Sequence, residues 1–142
     1  KESAHAALSY IRSNTKAFGL EPDFFYQQDI HVHVPAGAIP KDGPSAGLTI
    51  AMALLSLLKG IPCRRDTAMT GELTLTGRIL PVGGIKEKLL TAKIAGLRTV
   101  IFPMKNMPEL STIHADLKKD VRIVTASELN EVLDLVLNSN EH

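Results

Sequence analysis

Residues 67–96 read TAMTGELTLTGRILPVGGIKEKLLTAKIAG, and this stretch decides the fold. Over 67–75 and 78–82 it has the pattern of two short strands, joined at Thr76 and Gly77 by a plausible hairpin turn. After Gly83 and Gly84 the period changes. Residues 85–95 place Ile85, Leu89 and Ala92 on one face of a helix, and Gly96 stands where such a helix closes. A hairpin that runs straight into an amphipathic helix fits neither an all-α nor an all-β domain.

Working outward, 99–102 reads as a strand, 108–114 as a short helix, 121–124 as a strand and 127–137 as a final helix. On the other side, 2–17 carries Ala4, Ala7, Leu8 and Ile11 at helical spacing and ends near Gly19. Ile30, Val32 and Val34 then alternate with His31 and His33, as in a half-buried strand. A loop over 35–43 leads to a buried helix over 44–59, with Pro44 in its first turn and Gly60 just past its end. The expected architecture is a single layered α+β domain of short strands and packed helices, without repeats, low-complexity tracts or a dividing linker.

The 142 residues suit one domain with a real core, and 44% hydrophobic against 22% charged residues removes support for disorder or a coiled coil. Sixteen Lys and Arg balance fifteen Asp and Glu with no dense basic block, so no nucleic-acid footprint is expected. The longest apolar run, 46–58, is too short for a bilayer, so no membrane partner is expected either. The first residues lack the layout of a signal peptide. Because the chain begins inside a helical pattern without an initiator Met, it is expected to be a domain of a longer protein. The one cysteine, Cys63, makes no internal disulfide; its loop position suggests exposure, and no motif supplies it with a base.

Ser45 lies in the first turn of a helix too apolar to be exposed, where free N–H groups and the positive end of the helix dipole suit an oxyanion. Two readings stay open on position alone: a helix-starting serine and a nucleophile. A nucleophilic serine needs a base. His31 and His33 share one strand face next to the serine loop, but no acidic partner completes a triad and no third ligand completes a metal site. Lys88 is the other candidate, on the edge of its helix between Ala92 and Ala95, where a long stem can lie against packed surface. Either it snorkels to solvent, or burial disfavours its charge and frees the amine to act as a base.

Four segments taken together resemble one family. They are His31-Val32-His33-Val34-Pro35; the loop Pro40-Lys41-Asp42-Gly43-Pro44-Ser45-Ala46-Gly47; Met69-Thr70-Gly71-Glu72; and Leu80-Pro81-Val82-Gly83-Gly84-Ile85-Lys86-Glu87-Lys88. In this order, across nearly the whole chain, they resemble the proteolytic domain of the Lon family of ATP-dependent serine proteases.

The resemblance implies a Ser-Lys dyad, with Ser45 as nucleophile and Lys88 as general base. Thr70 matches a threonine that hydrogen-bonds the lysine. Asp42 falls in a mobile active-site loop where it can pair with Lys88 at rest, and His31 and His33 fall near the cleft. The implied fold is related to that of the GHMP kinases and a ribosomal-protein domain. This kinship leaves a phosphate-binding reading of residues 43–47 as the rival, which has no need of Lys88. A non-catalytic binding module is the third reading, and it leaves Ser45, Lys88 and Thr70 together unexplained. The chain has no P-loop, so ATP hydrolysis is expected elsewhere; the resemblance implies no metal or cofactor in residues 1–142 and assigns ATP and Mg to a separate AAA+ module. The implied partners are unfolded, damaged or short-lived regulatory proteins and a homohexamer of the full-length protein. The implied location is the bacterial cytoplasm, or alternatively the mitochondrial matrix.

Overall fold

The computed structural model describes residues 2–19 and 47–137. The strand expected at 30–34 with His31 and His33, the loop with Asp42, and the first residues of the 44–59 helix with Ser45 lie outside them.

Helix α1 (Glu2–Ser13) buries Ala7 and Ile11 completely. The sequence predicts helix to residue 17, but the chain leaves the α conformation at Asn14 and continues as a 3-10 turn, Thr15–Phe18. Asn14 is the cause: its side chain donates to the Tyr10 carbonyl at 2.8 Å, capturing an acceptor the helix leaves open at its end. Helix α2 (Gly47–Lys59) is apolar almost all round because it packs on several sides, with Leu48, Ile50, Ala51, Met52, Leu54 and Leu55 buried.

Strands β1 (Thr67–Met69), β4 (Thr99–Pro103) and β5 (Arg122–Ala126) form a parallel sheet in the order β1-β4-β5. In register, Thr67 faces Thr99 and Thr99 faces Arg122. Between them in sequence, β2 (Glu72–Leu73) and β3 (Ile79–Leu80) pair antiparallel as a separate hairpin. Helices α3 (Ile85–Ile94), α4 (Met107–Ser111), α5 (Ala115–Lys118) and α6 (Leu129–Val136) complete the described chain. Central strand β4 explains its own sequence. Val100 and Phe102 point into a core shared with Ile85, Leu89, Ala92, Leu110 and Ile113, while Ile101 points into a second core with α1, α2 and α6. Both faces of this strand are covered, so the apolar run is continuous rather than alternating.

Two expectations need correction. The strand expected over 67–75 is broken at Thr70 and Gly71, because the chain changes partners there: the Thr70 N–H still donates to Ile101 of β4, but the Gly71 carbonyl accepts from Leu48 of α2. The helix expected over 108–114 is instead a 3-10 turn (Met104–Asn106), α4, and after a gap α5. His114 separates the two helices, since its Nδ1 accepts the Asp116 N–H at 3.1 Å and so caps α5.

Candidate active site

Thr70 stands just past the carboxyl end of β1, the edge of a parallel sheet where ligands most often bind. The first turn of α2 holds the backbone on either side of it. Leu48 N–H donates to Gly71 O at 3.0 Å, and the Thr49 hydroxyl donates to Met69 O at 3.3 Å. This close approach requires two residues without side chains: a Cβ on Gly47 would lie 2.9 Å from Leu73 N, and one on Gly71 would lie 2.7 Å from Ile79 Cγ2. Ser45 lies outside the described residues, but it precedes Gly47 by two positions.

Lys88 is in the second turn of α3, half-buried, with its N–H donating to Gly84 O at 3.0 Å. Its amine turns back over the start of the helix, where a Cβ on Gly84 would lie 3.5 Å from Nζ. The reason is general: helical side chains tilt toward the N-terminus. Gly84, at φ 68°, caps α3 without a side chain, and the Glu87 carboxylate lies there too, its Oε1 3.7 Å from where a Gly84 Cβ would be.

The Thr70 side chain is 6% exposed, and its hydroxyl has no hydrogen-bond partner among the described residues. The bond to Lys88 that the resemblance implies is therefore not formed in this structure. A buried hydroxyl left open costs about 1–3 kcal/mol, which a same-shaped apolar group avoids. Thr70→Val is accordingly expected to raise the melting temperature by about 3–5 °C. If the hydroxyl serves the chemistry, the same variant lowers peptide turnover by about tenfold, the worth of one hydrogen bond. Thermal melts and steady-state kinetics on one preparation read both.

Cys63 is not the exposed loop thiol its position suggests. It is partly buried against the α1/α2/α6 core, its Sγ lies 3.8 Å from Met52 O, and burial pushes its thiol up from the ordinary value. That is the opposite of an activated nucleophile. Sequence reasoning missed Gly47 and Gly71 as close-approach positions and Asn106 as a buried amide. For the glycines the signal was their place within the quoted segments. For Asn106 there was none, because an asparagine after a strand reads as a loop residue.

The fold is that of an α+β domain, and its described candidate groups are the Lys88 amine, the buried Thr70 hydroxyl and the start of α2. Compared with known families, residues 1–139 match the model of the Lon protease (S16) C-terminal proteolytic domain. Among curated proteins, the chain is 55% identical over 136 residues to Lon protease 1 of Thermus thermophilus, covering 96% of this chain and 17% of that protein. It is 54% identical over 139 residues to Lon protease of Geobacter metallireducens, covering 98% and 17%. With Lon protease of Halothermothrix orenii the identity is 52% over 141 residues, covering 99% and 18%. This chain therefore belongs to the Lon protease family. It corresponds to the C-terminal proteolytic domain and spans less than a fifth of the length of these relatives.

Proposed function

We propose that this domain is a serine endopeptidase working through Ser45 and Lys88. The observation that carries the reading is the family match over residues 1–139, in a chain that keeps a serine at 45 and a lysine at 88. The fold adds that the Lys88 amine lies at the start of its helix, beside Glu87. In the proposed reaction neutral Lys88 takes the Ser45 proton as the oxygen attacks the scissile carbonyl. The amine's proton then goes to the leaving amine, and an acyl-enzyme remains on Ser45. Lys88 next takes a proton from water, whose oxygen attacks the ester, and returns it to Ser45 as the acid leaves.

The oxyanion would be held by backbone N–H groups at the start of the α2 helix. Leu48 N–H is already used by Gly71 O, so the donors in this reading are those that precede it. Thr70 would offer its open hydroxyl to the amine once substrate is bound, and Asp42 would pair with Lys88 at rest. His31 and His33 receive no step.

The wider reading rests on the family alone. In it, an AAA+ module elsewhere in the polypeptide uses ATP and Mg to feed unfolded, damaged or short-lived regulatory proteins into a homohexamer in the bacterial cytoplasm, with the mitochondrial matrix as the alternative. Kinship of the fold with the GHMP kinases and a ribosomal-protein domain belongs to the same reading. Among the described residues, no helix is long and apolar enough to cross a membrane.

Cleavage of an unstructured fluorogenic peptide from about pH 6 to about pH 10 tests the proposal. The sign follows from the mechanism: only a neutral base accepts the serine proton, so kcat/KM rises with pH. A rate that falls over this range, or cleavage stopped by a chelator in the absence of ATP, contradicts a lysine base.

A further inference from the structure

We infer that Asn106 is a positioning residue for Lys88, its buried side-chain amide fixing the backbone that leads into α3. This rests on the dyad reading above. Asn106 is 5% exposed and ends the 3-10 turn after β4. Its Oδ1 accepts the Val82 N–H at 3.0 Å, and its Nδ2 donates to the Val82 carbonyl at 2.9 Å and to Glu109 Oε1 at 3.3 Å. One side chain thus closes both backbone hydrogen bonds of a residue 24 positions away, as a neighbouring strand would. It also stands at the N-cap of α4 without capping it, because its amide is turned to Val82 instead.

Residues 81–84 need such a tether. Pro81 has no N–H, a Cβ on Gly83 would meet nothing within 4 Å, and Gly84 is exposed at φ 68°. Beyond Gly84 the lever is short. The Lys88 N–H is bonded to the Gly84 carbonyl, and the Lys88 amine turns back over the Gly84 Cα. Ile85, Leu89 and Ala92 hold the body of α3 in its core. The Val82 side chain also packs on that core, and Asn106 fixes the backbone of the same residue through both of its polar groups. Releasing Val82 shifts the helix entry under the amine, and a misplacement of about 1 Å at a reacting group is enough for about 100-fold in rate.

The test uses the longest natural polypeptide that contains this chain, with Asn106→Ala, Asn106→Asp and, as a stability control, Val136→Ala in the other core. Asn106→Asp keeps an acceptor for the Val82 N–H but sets a carboxylate oxygen against the Val82 carbonyl, so it disturbs the path without emptying the site. For both Asn106 variants the expected result is a fall in kcat of about 10- to 100-fold with KM changed by less than about threefold. Amide hydrogen exchange over 82–88 should quicken, and the pH at which the rate rises should move. Val136→Ala, compared at a matched loss of thermal stability, should leave kcat within about threefold. Overturning results are an Asn106→Ala loss no larger than that of the control, or unchanged exchange over 82–88. Cleavage that survives Lys88→Ala sinks the dyad reading, and with it a positioning role for Asn106, while the exchange data still report separately whether Asn106 holds this segment.

Discussion

Ser45→Ala is expected to abolish peptide cleavage, lowering kcat by about 1,000-fold or more, because no other group in the proposed mechanism can form the acyl intermediate. Lys88→Ala should lower it by about 100- to 10,000-fold, the range general-base catalysis contributes. Lys88→Arg is the sharper variant: it keeps a long cationic side chain but stays protonated, so it should be as inactive as the alanine. A charge-positioning role for Lys88 predicts the reverse, with arginine largely active. Lys88 is part of neither core cluster, so for its variants circular dichroism should not change and melting temperatures should stay within about 2 °C. Turnover retained by Ser45→Ala removes the serine from the mechanism, whatever Lys88 does.

Gly77→Ala is expected to produce a large loss of stability through the hairpin. Gly77 sits at φ 84°, where an L-residue costs about 1–2 kcal/mol, and its carbonyl accepts the Leu129 N–H at the start of α6. An added Cβ would collide with Cζ and the hydroxyl oxygen of Tyr10 and lie 2.6 Å from its Cε1. That ring packs edge-on against Phe18, with centroids 5.7 Å apart, and burial raises its phenol above the ordinary range, with the charge of Glu128 adding to the effect. Displacing it costs a further 1–3 kcal/mol or so, the usual range for overpacking. Together these amount to about 2–5 kcal/mol, or roughly 6–15 °C in melting temperature. In a Tyr10→Ala background the steric part disappears and Gly77→Ala should cost only about 1–2 kcal/mol. Additive effects in that double-mutant cycle would show that the turn does not dock on α1.

Elements with strong local signals were legible from the sequence. Helix α3 was placed to within one residue because Ile85, Leu89 and Ala92 repeat at helical spacing between two glycine punctuations. The start of α6 was less legible, although its apolar face repeats in the same way. The apolar run of β4 was readable as a strand, but not as the central strand with a core on each face. The break at Thr70 and Gly71 left no mark in the residue pattern, because it is caused by a carbonyl turning to Leu48, more than twenty positions upstream.

The candidate chemistry divides in the same way. The sequence by itself determined the family, through four short segments in order, and so put forward Ser45, Lys88 and Thr70 as a set. The tertiary structure decided what surrounds them: that the Thr70 hydroxyl is buried and open, that the Lys88 amine folds back over Gly84, and that Asn106 grips Val82. The physical reason is one of range. Residue type and spacing report interactions within about a turn of helix or a strand pair, whereas the bonds that aim a side chain join residues such as Val82 and Asn106, whose meeting depends on the whole sheet.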